Sequence, residues 1–133
     1  AVRKVLVCTG RIYYDLVKER ERLGATDVAI VRQELLYPLP LEELTAALAP
    51  FGDAELVWVQ DEPQNQGAWP FLALNEFPAL GRAPLGQAAV SAGAKPGPGT
   101  VSVVSRDAAS APATGLGWRH KEQAESILRD AFA

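Results

Sequence analysis

"AELVWVQDEPQNQGAWP", residues 54–70, decides how the rest of the chain is read. Ala54–Gln60 is apolar almost without interruption and rich in β-branched and aromatic residues. That composition suits a strand buried on both faces, as in a parallel sheet, better than one with a solvated side. The strand then runs into Asp61, Glu62 and Pro63, three amides from Gln64 to Gln66, Gly67 and Trp69. Ligands of open parallel sheets bind beyond the carboxyl ends of the strands. The polar stretch after this strand therefore stands where function is expected.

Working outward, the same grammar repeats. Arg3–Thr9 is a second apolar run, closed by Gly10. Ile12, Tyr13, Leu16, Val17 and Leu23 follow at helical spacing on one face, with Gly24 as the stop. Residues 27–33 (DVAIVRQ) predict another buried strand. The two prolines of 36–40 (LYPLP) exclude regular structure there. Leu41–Leu48 predicts a helix, with Glu42 and Glu43 in the first turn where the helix dipole favours them. A helix is expected from Trp69 to about Glu76, ended by Pro78. Residues 81–99 are rich in Gly, Ala and Pro and predict a long flexible loop. Residues 100–105 (TVSVVS) read as a fourth strand, 106–115 as a small-residue loop, and Ala124, Ile127, Leu128, Ala131 and Phe132 as a closing amphipathic helix. The fold class is α/β, a three-layer sandwich with a mostly parallel sheet and helices on both faces. No repeat or linker divides the chain, so residues 1–133 are read as one domain.

Composition narrows the function. Hydrophobic residues make up 48% of the 133 and charged residues 22%, which suits a globular domain able to bury a sizeable core. A net charge of −3, with no Lys/Arg cluster lacking matching acids, argues against an electrostatic nucleic-acid binder. The alternating run from Lys18 to Arg22 is a solvated helix face. One cysteine, Cys8, leaves no internal disulfide and no cysteine-based zinc cage. No apolar run approaches the ~18 residues of a membrane span, and no leader is recognisable, so the expectation is a cytoplasmic protein. The absence of methionine and the early first strand suggest a fragment of a longer polypeptide.

Few residue patterns promise chemistry. Gly10 and Arg11 follow a strand and open a helix, a place where backbone N–H groups can meet an anion. The glycine spacing is not that of a phosphate loop, and a tight turn explains it as well. Arg32 and Arg106 fall near the same strand ends. Asp61 lacks the acidic partner after the first strand that a magnesium-holding receiver site needs, since Cys8 and Thr9 stand there. His120, the only histidine, has no nucleophile placed beside it by any motif. Asp61 and Glu62 are neighbours in an extended segment and point to opposite faces, so they do not converge on one atom. The reading that remains is an interface or cleft loop. In it Asp61, Glu62, Asn65, Gln66 and Gly67 form a rigid polar turn, the acids pair with Arg32 or Arg106, and Trp69 plugs the turn onto the core or onto another domain.

Five ordered blocks carry a family resemblance: residues 5–16 (VLVCTGRIYYDL), 27–40 (DVAIVRQELLYPLP), 57–70 (VWVQDEPQNQGAWP), 109–115 (ASAPATG) and 120–132 (HKEQAESILRDAF). Together they resemble the C-terminal end of the thiamine-diphosphate-dependent component of 2-oxoglutarate dehydrogenase, with "NQGAW" the most specific part. The resemblance implies a domain like the C-terminal domain of transketolases. It also implies thiamine diphosphate and magnesium held by upstream domains, with no cofactor and no catalytic residue in this fragment. The parent enzyme would decarboxylate 2-oxoglutarate and pass a succinyl group to the lipoyl arm of its succinyltransferase partner; a sister enzyme acting on 2-oxoadipate would look alike here. The implied role of this domain is packing in a homodimer and support of the active-site cleft. The alternative is a regulatory module that binds acetyl-coenzyme A or AMP through Gly10, Arg11, Arg32 and Arg106. Two departures bear on that alternative. Some relatives carry Gly-Arg-Pro where this chain has Ser105-Arg106-Asp107, and effector-responsive actinobacterial relatives are arginine-rich where this chain reads Leu41–Thr45 (LEELT).

Overall fold

A computed structural model describes residues 1–34, 40–106 and 117–133, the side chains of 117–120 excepted. Its order of elements is β1 (Lys4–Cys8), α1 (Ile12–Leu23), β2 (Val28–Arg32), α2 (Leu41–Leu48), β3 (Glu55–Pro63), α3 (Trp69–Asn75), β4 (Ala83–Leu85), α4 (Gln87–Ser91), β5 (Thr100–Arg106) and α5 (Gly117–Ala131). Short 3-10 turns follow α2 and α3, at Ala49–Phe51 and Pro78–Leu80.

The strands form one five-stranded sheet in the order β2-β1-β3-β5-β4, and every pairing is parallel. Leu6 of β1 stands level with Ile30 on one side and Val57 on the other, so apolar residues run in rows across the sheet. Successive side chains of a strand point to opposite faces, and the core divides accordingly. Val5, Val7, Leu56, Trp58, Val101 and Val103 meet α2 and α3 through Leu44, Trp69 and Leu72, with Phe77 beyond α3. Leu6, Cys8, Val28, Val57 and Val59 meet α1 and α5 through Ile12, Leu16, Ile127, Ala131 and Phe132. This is the expected three-layer α/β sandwich, with a sheet that is wholly rather than mostly parallel.

Three sequence expectations need correction. The long loop over 81–99 contains β4 and the short helix α4. β4 adds a fifth strand at the sheet edge, and its three residues carry too little periodicity to be seen in a Gly/Pro-rich stretch. Leu23, assigned to the inner face of α1, is 48% exposed, because its turn passes the end of the packed layer at Gly24. β3 runs on to Pro63, across an irregularity in its register with β5 between Val59 and Pro63. Residues 36–40 and the loop 106–115 fall mostly outside the described residues.

The last helix is tied to the first strand. Lys4, 5% exposed, donates from Nζ to the Ala133 carbonyl oxygen at 2.9 Å, while Arg3 donates to the Phe132 and Ala133 oxygens at 3.1 Å each. Cations at the carboxyl end of α5 favour its dipole. Burial lowers the Lys4 pKa, partly offset by the Glu55 carboxylate 4.0 Å away.

Candidate functional site at the switch point of the sheet

In the order β2-β1-β3-β5-β4, the chain leaves β1 toward one edge and β3 toward the other. Open parallel sheets bind ligands at such a divergence. Here a crevice of about 490 Å³ opens between the carboxyl ends of β1 and β3, lined by Thr9, Trp58, Gln60, Glu62, Gly67, Ala68 and Phe71.

Gln60 organises its wall. The carboxamide oxygen accepts the Trp58 indole N–H at 2.9 Å and the Trp69 backbone N–H at 3.0 Å. The nitrogen donates to the carbonyls of Pro63 and Gln66, at 2.7 and 2.8 Å, and at 3.3 Å to that of Glu62. Both acceptor sites face donors and both N–H groups face carbonyls, so the orientation of the amide is unambiguous. A glutamine inside β3 thus substitutes for the missing ladder in the turn from Pro63 to Trp69. Gly67 closes that turn at φ +65°, and a Cβ there would stand 3.0 Å from the Glu62 carboxylate. Two constraints, the left-handed backbone and the close acid, select glycine.

Trp69 opens α3 and turns inward at 5% exposure. Its ring lies 6.0 Å from that of Phe77, which lies 6.3 Å from Trp58. The plug expected from the sequence therefore seats on this domain's own core.

Arg106, 4% exposed, clamps the other flank. It donates from Nη2 to the Asp61 carboxylate at 3.0 Å, from Nε to the Asp61 carbonyl at 2.6 Å, and from Nη1 to Gln123 of α5 at 3.0 Å. Of the two arginines considered for the acids, Arg106 takes Asp61. Arg32 lies over the rings of Tyr13 and Tyr14, at 5.0 and 5.1 Å, and pairs with Glu34 at 2.5 Å. Gln64 extends the loop to α4, its carboxamide oxygen accepting the Gln87 N–H at 2.8 Å. Asn65 and Gln66 belong to the same turn, and Glu62 is exposed at its surface.

Of the proposed anion positions, Arg32 stands level with Cys8, two residues before Gly10, and Arg106 stands on β5, two strands from β1. Gly10 makes a tight turn at φ +74° and Arg11 is exposed beside it, while Arg106 lies under the β3–β5 edge and Arg32 beside α1. The crevice itself carries an acid, Glu62. His120's side chain lies outside the described residues.

A second buried polar pair stands beyond β2. Gln33, 4% exposed, donates from Nε2 to Glu76 Oε1 at 2.7 Å, and its backbone N–H reaches the Cys8 carbonyl at 2.8 Å. Glu76 is fully buried, and its Oε2 finds no hydrogen-bond partner among the described residues. Burial raises its pKa, only partly opposed by the Gln33 hydrogen bond. Burial also pushes the Cys8 thiol up to about 12, which makes it inert as a nucleophile.

Neither Gln60 nor the Gln33–Glu76 pair was singled out from the sequence. A signal existed: both glutamines lie in the first polar residues after an apolar run, in Val59-Gln60-Asp61-Glu62 and Val31-Arg32-Gln33-Glu34. Among the described residues no three His, Cys, Asp or Glu side chains are grouped to hold a metal ion. No helix among them is long and apolar enough to cross a membrane.

The fold and this edge define a class: a parallel α/β domain whose switch point is braced by its own loop. The family model for the 2-oxoglutarate dehydrogenase C-terminal region matches residues 1–132, and the chain belongs to that family. It is 41% identical over 137 aligned positions to the 2-oxoglutarate dehydrogenase E1 component of Brucella anthropi, and equally to those of Brucella ovis and Brucella melitensis biotype 2. Each alignment covers 98% of this chain and 12% of the relative, so the chain spans about one-eighth of their length.

Proposed function

We propose that this chain is the terminal assembly domain of a 2-oxoglutarate dehydrogenase decarboxylating component, and is inactive alone. In this reading the parent enzyme, a homodimer in the cytoplasm, holds thiamine diphosphate and magnesium in upstream domains. It oxidatively decarboxylates 2-oxoglutarate in the tricarboxylic acid cycle and passes succinyl to the lipoyl group of its succinyltransferase core. This domain braces one side of the cleft.

The observation that carries the proposal is Gln60. Its five hydrogen bonds all point into the domain, spending the loop's polar groups on internal order rather than presenting them to a ligand. The regulatory alternative, an acetyl-coenzyme A or AMP receptor, has less support. Arg106 and Arg32 are engaged by Asp61 and by Glu34 with two tyrosines, and the crevice acid Glu62 would repel phosphates.

The test is Gln60→Leu in the parent enzyme. Stranding the Trp58 indole and the loop carbonyls should cost about 2–3 kcal/mol of stability, at about 1–3 kcal/mol for a buried group left unsatisfied. The KM for 2-oxoglutarate should stay within about twofold, because no substrate contact is lost. A changed KM at unchanged thermal midpoint would assign the loop to substrate binding instead.

A further inference from the structure

Charge is distributed unevenly along this chain. Of its 13 Lys/Arg and 16 Asp/Glu, only Glu76, Arg82 and Lys95 fall between Pro63 and Ser105. Glu76 is fully buried, so the surface of α3 and the turn after it carries no charge between Pro63 and Gly81. That surface is not polar in another way. Leu74 is 80% exposed and Phe71, one turn earlier, 40%. Pro78 and Ala79 are exposed beside them. Asn75, the exposed amide of α3, donates back to the Phe71 carbonyl of its own helix at 2.9 Å.

A lone exposed leucine is ordinary, but exposed apolar side chains on successive turns of a segment with no exposed charge of its own are not; the acid that approaches them is Glu62, which shares the crevice at the Phe71 end. Depletion of charge is the compositional mark of the dry centre of a lasting interface. The opposite face of the molecule shows the contrast: α1 carries an ion pair, Glu19–Arg22, on a helix with alternating charges.

We infer that the outer face of α3, through Phe71, Leu74, Pro78 and Ala79, is covered by the preceding part of the same polypeptide. This rests on the assembly reading above and names the partner. Two observations choose that occupant over a second copy of the chain. The matched relatives are about eight times longer than this chain, so most of their surface comes from sequence outside it. Val2 packs against the same core cluster as Trp69, Leu72 and Phe77, so the polypeptide enters the domain on the α2–α3 layer. Chain preceding Val2 would therefore start on the same side of the sheet as α3. The crevice at the switch point also opens onto this face, since Phe71 lines both.

The experiment places Leu74→Cys in the parent polypeptide and measures its alkylation by a maleimide. Peptide mass spectrometry reads residue 74 alone, against the same residue's rate in urea. The expected result is at least about tenfold protection in the native enzyme, the slowing that about 1.4 kcal/mol of burial would give, equal at high and low protein concentration. Labelling at the unfolded rate would mean an open face and overturn the inference. Protection that vanishes on dilution, together with dissociation, would identify a second copy as the occupant and overturn it equally. Oxidation of 2-oxoglutarate by the same preparation reports separately on the parent activity, so loss of that reading is distinguishable from loss of this one.

Discussion

Two buried glutamines stand toward the carboxyl ends of the two strands that flank β1, and they meet opposite fates. Gln60, within β3, satisfies every hydrogen-bonding site of its amide with neutral partners. Gln33, after β2, spends a donor on Glu76, a carboxyl group with no solvent exposure and one oxygen unpartnered among the described residues. Both are buried polar networks in a low dielectric, where completeness decides the sign of the contribution. A complete neutral hub stabilises and specifies one loop conformation. A hub built on a buried acid is held in place by the packing around it, because desolvation works against its charge. Stability is thus distributed unevenly along a single functional edge.

Trp69→Ala tests the complete side most severely. The ring is almost wholly buried against Phe77, and its backbone N–H is one of Gln60's donors. Truncation should cost about 3–5 kcal/mol, as for other buried aromatics. Denaturant unfolding of the parent enzyme would measure it. A loss below about 1 kcal/mol would show that the loop holds itself without its plug and that Gln60 alone is the organiser.

The sheet was legible in the sequence because its strands are buried on both faces and so read as unbroken apolar runs, as in Val57–Val59 and Val5–Val7. The Trp69 loop was legible as a place but not as a mechanism. The sequence suggests Asp61 and Glu62 as its chemistry, whereas the geometry gives the central role to Gln60, whose neutral side chain looks unremarkable after an apolar run. The Asp61–Arg106 pair follows from the parallel pairing of β3 with β5, which the sequence does not state, since Arg106 stands level with Pro63. β4 was hidden for a physical reason. A three-residue edge strand containing Pro84 depends on its neighbour β5 for its conformation, and nothing local announces it. Glu76 reads as an ordinary helix-end acid, and only the position of Gln33 across the layer reveals it as buried.

A double-mutant cycle on Asp61→Asn and Arg106→Gln ranks next. The guanidinium is buried but the carboxylate side chain is 43% exposed, so solvent screens the pair. Coupling should be about 1 kcal/mol, at the upper end of exposed ion pairs. The single Arg106→Gln variant should lose more than the coupling, because Arg106 also holds the Asp61 carbonyl and Gln123. Coupling indistinguishable from zero would reduce Arg106 to a backbone clamp.

Glu76→Gln is expected to produce the smallest change in size, and the only one that is favourable. Burial raises the folded-state pKa of Glu76 above the ordinary 4.5, with the Gln33 hydrogen bond opposing the shift in part. An acid raised in this way contributes its stability below the unfolded value, where both states are protonated. That contribution is lost as pH rises from about 4.5 through the raised folded value, because the unfolded chain sheds a proton that the folded one keeps. A neutral glutamine removes this penalty and can still accept the Gln33 N–H through its carboxamide oxygen. The variant should therefore melt higher than the native protein at pH 7, with the gain shrinking to nothing as pH approaches 4. A gain that is constant with pH would mean that Glu76 titrates alike in both states and that its benefit is one of packing. A loss at pH 7 would mean that the ionised carboxylate has a donor that supports it. The two buried glutamines would then anchor networks of the same kind.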